Sequence, residues 1–301
     1  MTMSTPVAPM AVVAGVDGSA DGIRAVRWAA RAAVRTGVPL RLVHATPALP
    51  PSPFPVSSQY IDLLRKVARE DGERFLADAR AAAMEVAPDL DIGARQQVGG
   101  PVEILGRASA SATMVAVGAT GRSGLAELLV GSTALELPPR SHAPVVIVRP
   151  RADGTTADSG PVVVGVAGSI MDDPAVQFAF EQASLLGVEL VAVHTWSDSP
   201  LPDLDRMTGL RDDWDAIFER ERRLLAERLA GYAERYPDVM VESVVTFDGP
   251  ARALLTQAHS AQLLVVGTRG RGILAGTMLG STSRAAIKLS VCPVAVIRHY
   301  A

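Results

Sequence analysis

The chain has 301 residues, enough for about two domains of ordinary size, and 48% of them are hydrophobic, which supplies apolar material for two cores. With 29 basic against 32 acidic side chains the formal charge is −3, and no basic stripe of the kind that grips nucleic acid runs along the chain. The single cysteine, Cys292, excludes an internal disulfide and a cysteine-based metal cluster.

Taken from the N-terminus, Ala11–Val16 is a continuous apolar run ended by Asp-Gly-Ser, as expected of a strand buried on both faces. From Asp21 to Thr36 the apolar positions Ile23, Val26, Ala30, Ala33 and Val34 form a helical stripe, with Trp28 on its buried side, and Gly37 ends it. Leu40–Ala45 is a second strand, and Thr46–Ser58, with five prolines, an irregular loop. Ile61–Val86 reads as a long amphipathic helix, Asp91–Val98 as a third strand, and Val102–Ser109 as a short helix. A fourth strand is predicted at Met114–Gly118, a helix at Ser132–Ser141 and a fifth strand at Val145–Arg149.

The same order then returns. Val12-Val13-Ala14-Gly15-Val16-Asp17-Gly18-Ser19 lines up with Val162-Val163-Val164-Gly165-Val166-Ala167-Gly168-Ser169, an offset of 150 residues that still holds at His44 and His194. Farther on it becomes 149, where Gly100-Pro101 meets Gly249-Pro250 and Pro144 meets Pro293. So steady an offset means duplication, with copies at 1–150 and 161–301 and a polar, flexible linker at 151–160. The second copy is assigned strands near 162–167, 189–195, 240–247, 263–267 and 294–298 and a long helix near 210–235. Alternating strands and helices give an α/β fold of two tandem, doubly wound five-stranded parallel sheets with helices on both faces. Such sheets bind ligands beyond the carboxyl ends of their strands, where the strand order reverses.

At that end of the fourth strand stands Gly118-Ala119-Thr120-Gly121-Arg122-Ser123-Gly124, followed by Gly131-Ser132-Thr133, a G-x₂-G-x₉-G-[ST] spacing. The second copy repeats it as Gly267-Thr268-Arg269-Gly270-Arg271-Gly272 and Gly280-Ser281-Thr282. Glycines let backbone N–H groups approach an anion closely, some with φ > 0, and the Gly-Ser-Thr element precedes a helix whose hydroxyls can cap it while its amides meet a phosphate. The alternative is that the glycines make a tight turn and Ser132 is only an N-cap. There is no lysine after the last glycine, so this is not a Walker A loop.

On these residues the chain resembles the universal stress protein family in its tandem form, and the glycine spacing resembles that of its ATP-binding branch. The resemblance implies an adenine nucleotide hydrolase-like α/β fold and ATP near the switch point, with the triphosphate bringing Mg²⁺, and a role in stress survival or growth control. It assigns Gly15 and Asp17, at the end of the first strand, to the nucleotide, the backbone of Ala45 to adenine, and Gly118, Gly121, Gly131 and Ser132 to phosphates and ribose; Gly165 and Thr195 hold the matching places in the second copy. Asp17 has two readings, a ligand contact or an Asx-turn or N-cap ahead of the first helix. Ala167 replaces it in the second copy, whose site is expected to be weaker. Arg122 and Arg271 read equally as phosphate partners or solvated loop residues.

His44 and His194, each ending a second strand, read as packing or backbone-bonding histidines, because no further ligand lies at metal spacing. Cys292, in an apolar run with no base beside it, reads as a buried, inert thiol. The mixed charges of Arg65–Arg74 and Glu219–Arg228 read as solvated helix faces. Val145–Val148 and Val294–Ile297 are candidate pairing strands, within the chain or in a homodimer. No positive n-region opens the chain, and no stretch approaches about 18 uncharged apolar residues, so a cytoplasmic protein without a membrane segment is expected. Three functions stay open: an ATP-binding regulator, a slow ATPase or phosphotransferase, and an interaction module with vestigial sites.

Overall fold

The computed structural model describes residues 10–48, 57–121, 130–151, 153–166, 174–196, 211–268 and 279–299. The chain divides into two compact units, Met1–Val148 and Arg149–Ala301.

The first unit runs β1 (Ala11–Val16), α1 (Ala20–Thr36), β2 (Leu40–Thr46), α2 (Ser58–Val86), β3 (Ile92–Val98), α3 (Pro101–Ala108), β4 (Ala112–Gly118), α4 (Ser132–Glu136) and β5 (Val145–Val148). Its strands lie in the order β3-β2-β1-β4-β5, and each described pair is parallel. The order therefore reverses between β1 and β4, which is where the site was expected. Parallel neighbours need crossover helices, and these cover both faces. Helices α1 and α2 pack together on one face, α3 and α4 on the other.

Helix α1 begins at the cap Ser19, whose hydroxyl accepts from Gly22 N at 3.0 Å, and ends at Gly37 in the left-handed region with φ 65°. Its buried face is Ala25, Val26, Trp28, Ala29, Ala30, Ala32 and Ala33. Val34, predicted for that face, is exposed instead, because the buried arc is centred on Ala25, Ala29 and Ala32 and Val34 falls beyond its edge. Helix α2 starts three residues before its predicted beginning, with Ser57 capping the Tyr60 amide. Only from Gly72 onward does it bury side chains, led by Phe75, Leu76, Ala79 and Ala83.

The predicted helix at 132–141 is a correction. It is α-helical only to Glu136 and continues as a 3₁₀ turn at Pro138–Arg140. Two consecutive prolines remove the amides that an α-helix would need there. In the second unit Ile287 and Lys288 stand at the matching places, and the helix runs unbroken from Ser281 to Leu289.

The second unit repeats the plan: β6 (Val162–Gly165), α5 (Pro174–Leu186), β7 (Leu190–Thr195), α6 (Arg211–Arg235), β8 (Val241–Thr246), α7 (Pro250–Ala258), β9 (Leu263–Gly267), α8 (Ser281–Leu289) and β10 (Val294–Ile297). Strand order is β10-β9-β6-β7-β8, again parallel. A methyl added to Gly15 would lie 3.0 Å from Leu105 of α3, and one added to Gly165 would lie 3.1 Å from Leu254 of α7. The duplication thus extends to how each helix seats on its first strand.

The segment read as a linker carries a turn among its described residues. Arg151 N donates to Thr155 O at 2.6 Å, Asp153 accepts from both the amide and hydroxyl of Thr155, and Ala157 is buried. Asp153 and Gly154 are turn formers, and the Asx geometry supplies these bonds. Among the described residues no helix is long and apolar enough to cross a membrane.

Candidate functional site

At the carboxyl end of β1 the chain must turn sharply into α1, and Asp17 makes the turn. Its Oδ1 accepts from Ser19 N at 3.0 Å and from Ser19 Oγ at 2.6 Å, an Asx-turn. The capping role falls to Ser19. The two readings of Asp17 are compatible, since only Oδ1 is occupied by the turn. Oδ2 faces the loop after β4, where a methyl added to Gly121 would lie 3.3 Å from it.

That loop is fastened to α1. Thr120 donates its amide to Asp21 Oδ2 at 3.1 Å and its hydroxyl to the same oxygen at 2.6 Å. Ser19 Oγ completes the connection with a longer bond to Thr120 O at 3.3 Å. Asp21 is 6% exposed, and its second oxygen accepts from Arg24 at 2.8 Å. Neither Asp21 nor Ser19 is among the residues expected at the site. Ser19 had a signal, since Ser169 repeats it, but Asp21 had none, because Met171 stands at its place in the second copy.

The motif glycines do different things. A methyl on Gly118 would lie 2.7 Å from the backbone of Asp21 and Gly22, so this glycine admits the first turn of α1. Gly131 donates its amide to Ala119 O at 2.8 Å and closes the loop on itself. Gly280 does the same to Thr268 O at 2.9 Å. Gly118, Gly121 and Gly131 all keep φ outside the left-handed region, contrary to the expectation that some would enter it; their lack of a side chain matters for close approach. The caps of α4 and α8 are Gly131 and Gly280 themselves, and neither is a side-chain cap. Ser132 and Thr133 are therefore the first two helical residues, whose amides have no partner within the helix. The proposed hydroxyl cap is replaced by the glycine because it is the glycine that adopts the extended cap conformation, with φ −64° and ψ 151°.

Ala45 lies where β2 overhangs its neighbour. Pairing with β1 stops at Val16↔His44, whereas pairing with β3 continues through Ala45↔Gln97 to Thr46↔Val98. His44 Nδ1 bonds Val16 O at 2.7 Å, and its ring meets Phe75 edge-on at 5.6 Å, so the histidine fixes the strand end as expected. Together Gly15, Asp17, Ala45, Gly118, Thr120, Gly121, Gly131, Ser132 and Thr133 converge on the carboxyl ends of β1, β2 and β4.

In the second unit Gly165, Thr195, Gly267, Gly280, Ser281 and Thr282 occupy the matching strand and helix ends. His194 bonds Val166 O through Nδ1 at 3.0 Å and Glu221 Oε2 through Nε2 at 3.0 Å. Glu221 is thereby turned inward, contrary to a wholly solvated face for Glu219–Arg228, because it is the polar partner within reach of a buried imidazole nitrogen. Ser283, also unsuspected, donates to Gly267 O at 2.5 Å. Trp196 packs on Phe247 with ring centroids 4.6 Å apart. Arg122, Ser123, Gly124, Ala167, Arg269, Gly270, Arg271 and Gly272 lie outside the described residues.

Two tandem doubly wound units, each with a glycine at the end of its fourth strand and a Gly-Ser-Thr element opening the helix that follows, define an α/β protein of the parallel-sheet class. The universal stress protein family model matches residues 10–149 and 159–298. The chain belongs to this family. It is 39% identical over 306 residues to a universal stress protein of Mycobacterium tuberculosis, covering 99% of this chain and 100% of that one. With a universal stress protein of Mycolicibacterium smegmatis it shares 36% identity over 292 residues, covering 95% and 96%. The crystal structure of a universal stress protein from Archaeoglobus fulgidus has the same fold, with a TM-score of 0.64 at 21% identity and 96% of each chain covered.

Proposed function

We propose that the first unit binds an adenine nucleotide, ATP with its Mg²⁺, and that the protein acts as a nucleotide-dependent regulator in stress survival or growth control. The observation that carries this reading is the placement of Asp17 Oδ2 beside Gly121, 3.3 Å from where a methyl would stand. An acceptor for a ribose hydroxyl and a stretch of loop able to meet an anion at van der Waals distance thus share one end of the sheet. The first amides of α4, at Ser132 and Thr133, follow the bond that closes this loop, and in this reading the backbone of Ala45, past the end of the β1 pairing, meets the adenine edge.

Binding is favoured over turnover. Phosphoryl transfer needs a cation clamp, a carboxylate to hold metal and a group to orient the nucleophile. Here the hydroxyls of Ser19 and Thr120 are committed to Asp17 and Asp21. The motif supplies no lysine after Gly131. Slow hydrolysis is the second reading, favoured only by the motif arginines. The second unit, with Ala167 in place of the aspartate, is the weaker site: one lost ligand hydrogen bond costs about 0.5–1.5 kcal/mol.

The test is acid extraction of the purified protein for bound nucleotide, followed by calorimetric titration with ATP-Mg²⁺. Measurable binding that falls in Asp17→Ala supports the proposal. A titration flat at millimolar ATP would overturn it. Labelled ATP converted to ADP at many turnovers per minute would replace the regulator with an enzyme.

A further inference from the structure

The α3 face of the first sheet is only partly covered. Helix α3 spans eight residues and packs over β1 and β2. Beside it lies a groove of about 290 Å³ over the early residues of β1, β2 and β3. The strand register places Val13 beside Arg41, Arg41 beside Gly93, and Val43 beside Arg95, so all five share this face. Val13 and Val43 form an apolar floor, 4% and 3% exposed, and Ala108 of α3 forms the wall.

Two cations line this floor. Arg41 extends across Gly93, where an added methyl would lie 2.9 Å from its Cδ and 3.2 Å from its Nε. Its guanidinium is held in place by an ion pair of Nη2 with Asp91 Oδ2 at 3.0 Å and by Nη1 on Leu40 O at 3.1 Å. Arg95 stands on the same face of the edge strand, exposed. A solvated strand edge needs neither the glycine beneath Arg41 nor two arginines lining one groove with valines. The duplicate provides the control. In the second unit the same register positions carry Val191 for Arg41, Glu242 for Gly93 and Val244 for Arg95. The two copies share their fold, yet the second carries neither arginine at these positions.

We propose that this groove binds a small carboxylate with an apolar body, its headgroup between Arg41 and Arg95 and its tail over Val13 and Val43. Guanidinium forks match carboxylates in geometry, and the apolar floor selects against a bare inorganic anion. The volume is at the small end for ligand sites, which limits the guest to roughly ten non-hydrogen atoms. The groove sits at the amino-terminal halves of the strands, away from Asp17 and Gly121, so the proposal stands apart from the nucleotide reading.

Sodium octanoate is the probe, titrated into the full chain by calorimetry with ligand-observed NMR, beside 1-octanol and ATP-Mg²⁺. Octanoate is expected to bind with a Kd on the order of 1 mM, and octanol about tenfold more weakly. The double variant Arg41→Val with Arg95→Val installs the residues of the second unit, which its sheet already accommodates. It should weaken octanoate about tenfold while ATP affinity stays within about twofold. Should that variant fail to fold, Arg95→Glu alone, at an exposed position, should abolish octanoate binding. Equal binding of octanol, retention of octanoate by the folded variant, or no octanoate signal in the unsubstituted chain would each overturn the proposal.

Discussion

Thr120 donates both its amide and its hydroxyl to one oxygen of Asp21, at 3.1 and 2.6 Å, and thereby ties the loop after β4 to the first turn of α1. The two residues are 99 positions apart in the chain. The bond holds together the two sides of the switch point: α1 follows the strand that carries Asp17, and Thr120 precedes Gly121. Whatever the cleft between them holds, its width is set by this carboxylate.

Asp21→Ala should therefore act on both stability and affinity. It leaves the Thr120 amide without its acceptor in a half-buried place, a loss of about 1.5–3 kcal/mol for bonds to a charged group. The Arg24 pair adds little, since that side chain is 29% exposed. ATP affinity is expected to fall about five- to tenfold as the loop loosens. Urea unfolding and calorimetry on the same preparation check the two effects, and an affinity unchanged in a destabilised variant would show that the loop needs no tether.

Two glycines three residues apart should answer to alanine in opposite ways. At Gly118 the methyl would lie 2.7 Å from the α1 backbone, which cannot swing aside as a side chain can. Gly118→Ala should cost about 1–3 kcal/mol of stability through overpacking. At Gly121 the nearest atom is Asp17 Oδ2 at 3.3 Å, a contact that a carboxylate can relieve by a small rotation. Gly121→Ala should fold normally and lose ATP affinity. Thermal melting separates the pair, and a Gly121→Ala variant that binds ATP unchanged would remove Gly121 from the site.

The fold was legible because each layer repeated its signal. Apolar runs ended by turn residues located the strands, and a second copy at constant offset removed the ambiguity of any one of them. The spacing of the glycines was legible too, but the work of each was not. Gly118 faces the first turn of α1, a segment far away in the chain, and Gly131 closes its own loop on Ala119, relationships that spacing alone does not reveal. Asp21 was hidden for the same reason, as was Glu221, whose helix reads as a solvated face until His194 is placed beneath it. The break after Glu136 was readable from Pro138-Pro139, and periodicity overrode the prolines.

Ser19 is the cap of α1 and also a contact to the loop. Ser19→Ala removes the acceptor for Gly22 N and the hydroxyl donor that Asp17 Oδ1 holds at 2.6 Å, together with its longer contact to Thr120 O. Loss of a serine cap costs about 0.5–2 kcal/mol. The longer bond, at 3.3 Å, adds little stability, so the change in ATP affinity should be smaller than in Asp21→Ala. Reversal of that order in side-by-side titrations would move the tether from Asp21 to Ser19.

Cys292 gives a prediction that depends on no ligand. The thiol is 1% exposed, and burial pushes its pKa up from 9.0 to about 11, with Ser290 Oγ 3.4 Å from the sulfur as the leading opposing influence. Folded protein at pH 8 should therefore leave a thiol-reactive chromophore unreacted and consume one equivalent once denatured, because the thiolate is the nucleophile. The linkage has a definite sign. Below pH 9 the group is protonated in both states and its contribution is fully present. Above that the unfolded chain loses the proton first, so stability falls as pH rises toward 11, by up to about 3 kcal/mol across a shift of that size. Cys292→Ala should flatten this part of the pH profile at the cost of a small cavity. A profile between pH 9 and 11 that is the same with and without the thiol would show that the sulfur ionises in the folded unit as easily as in the unfolded chain.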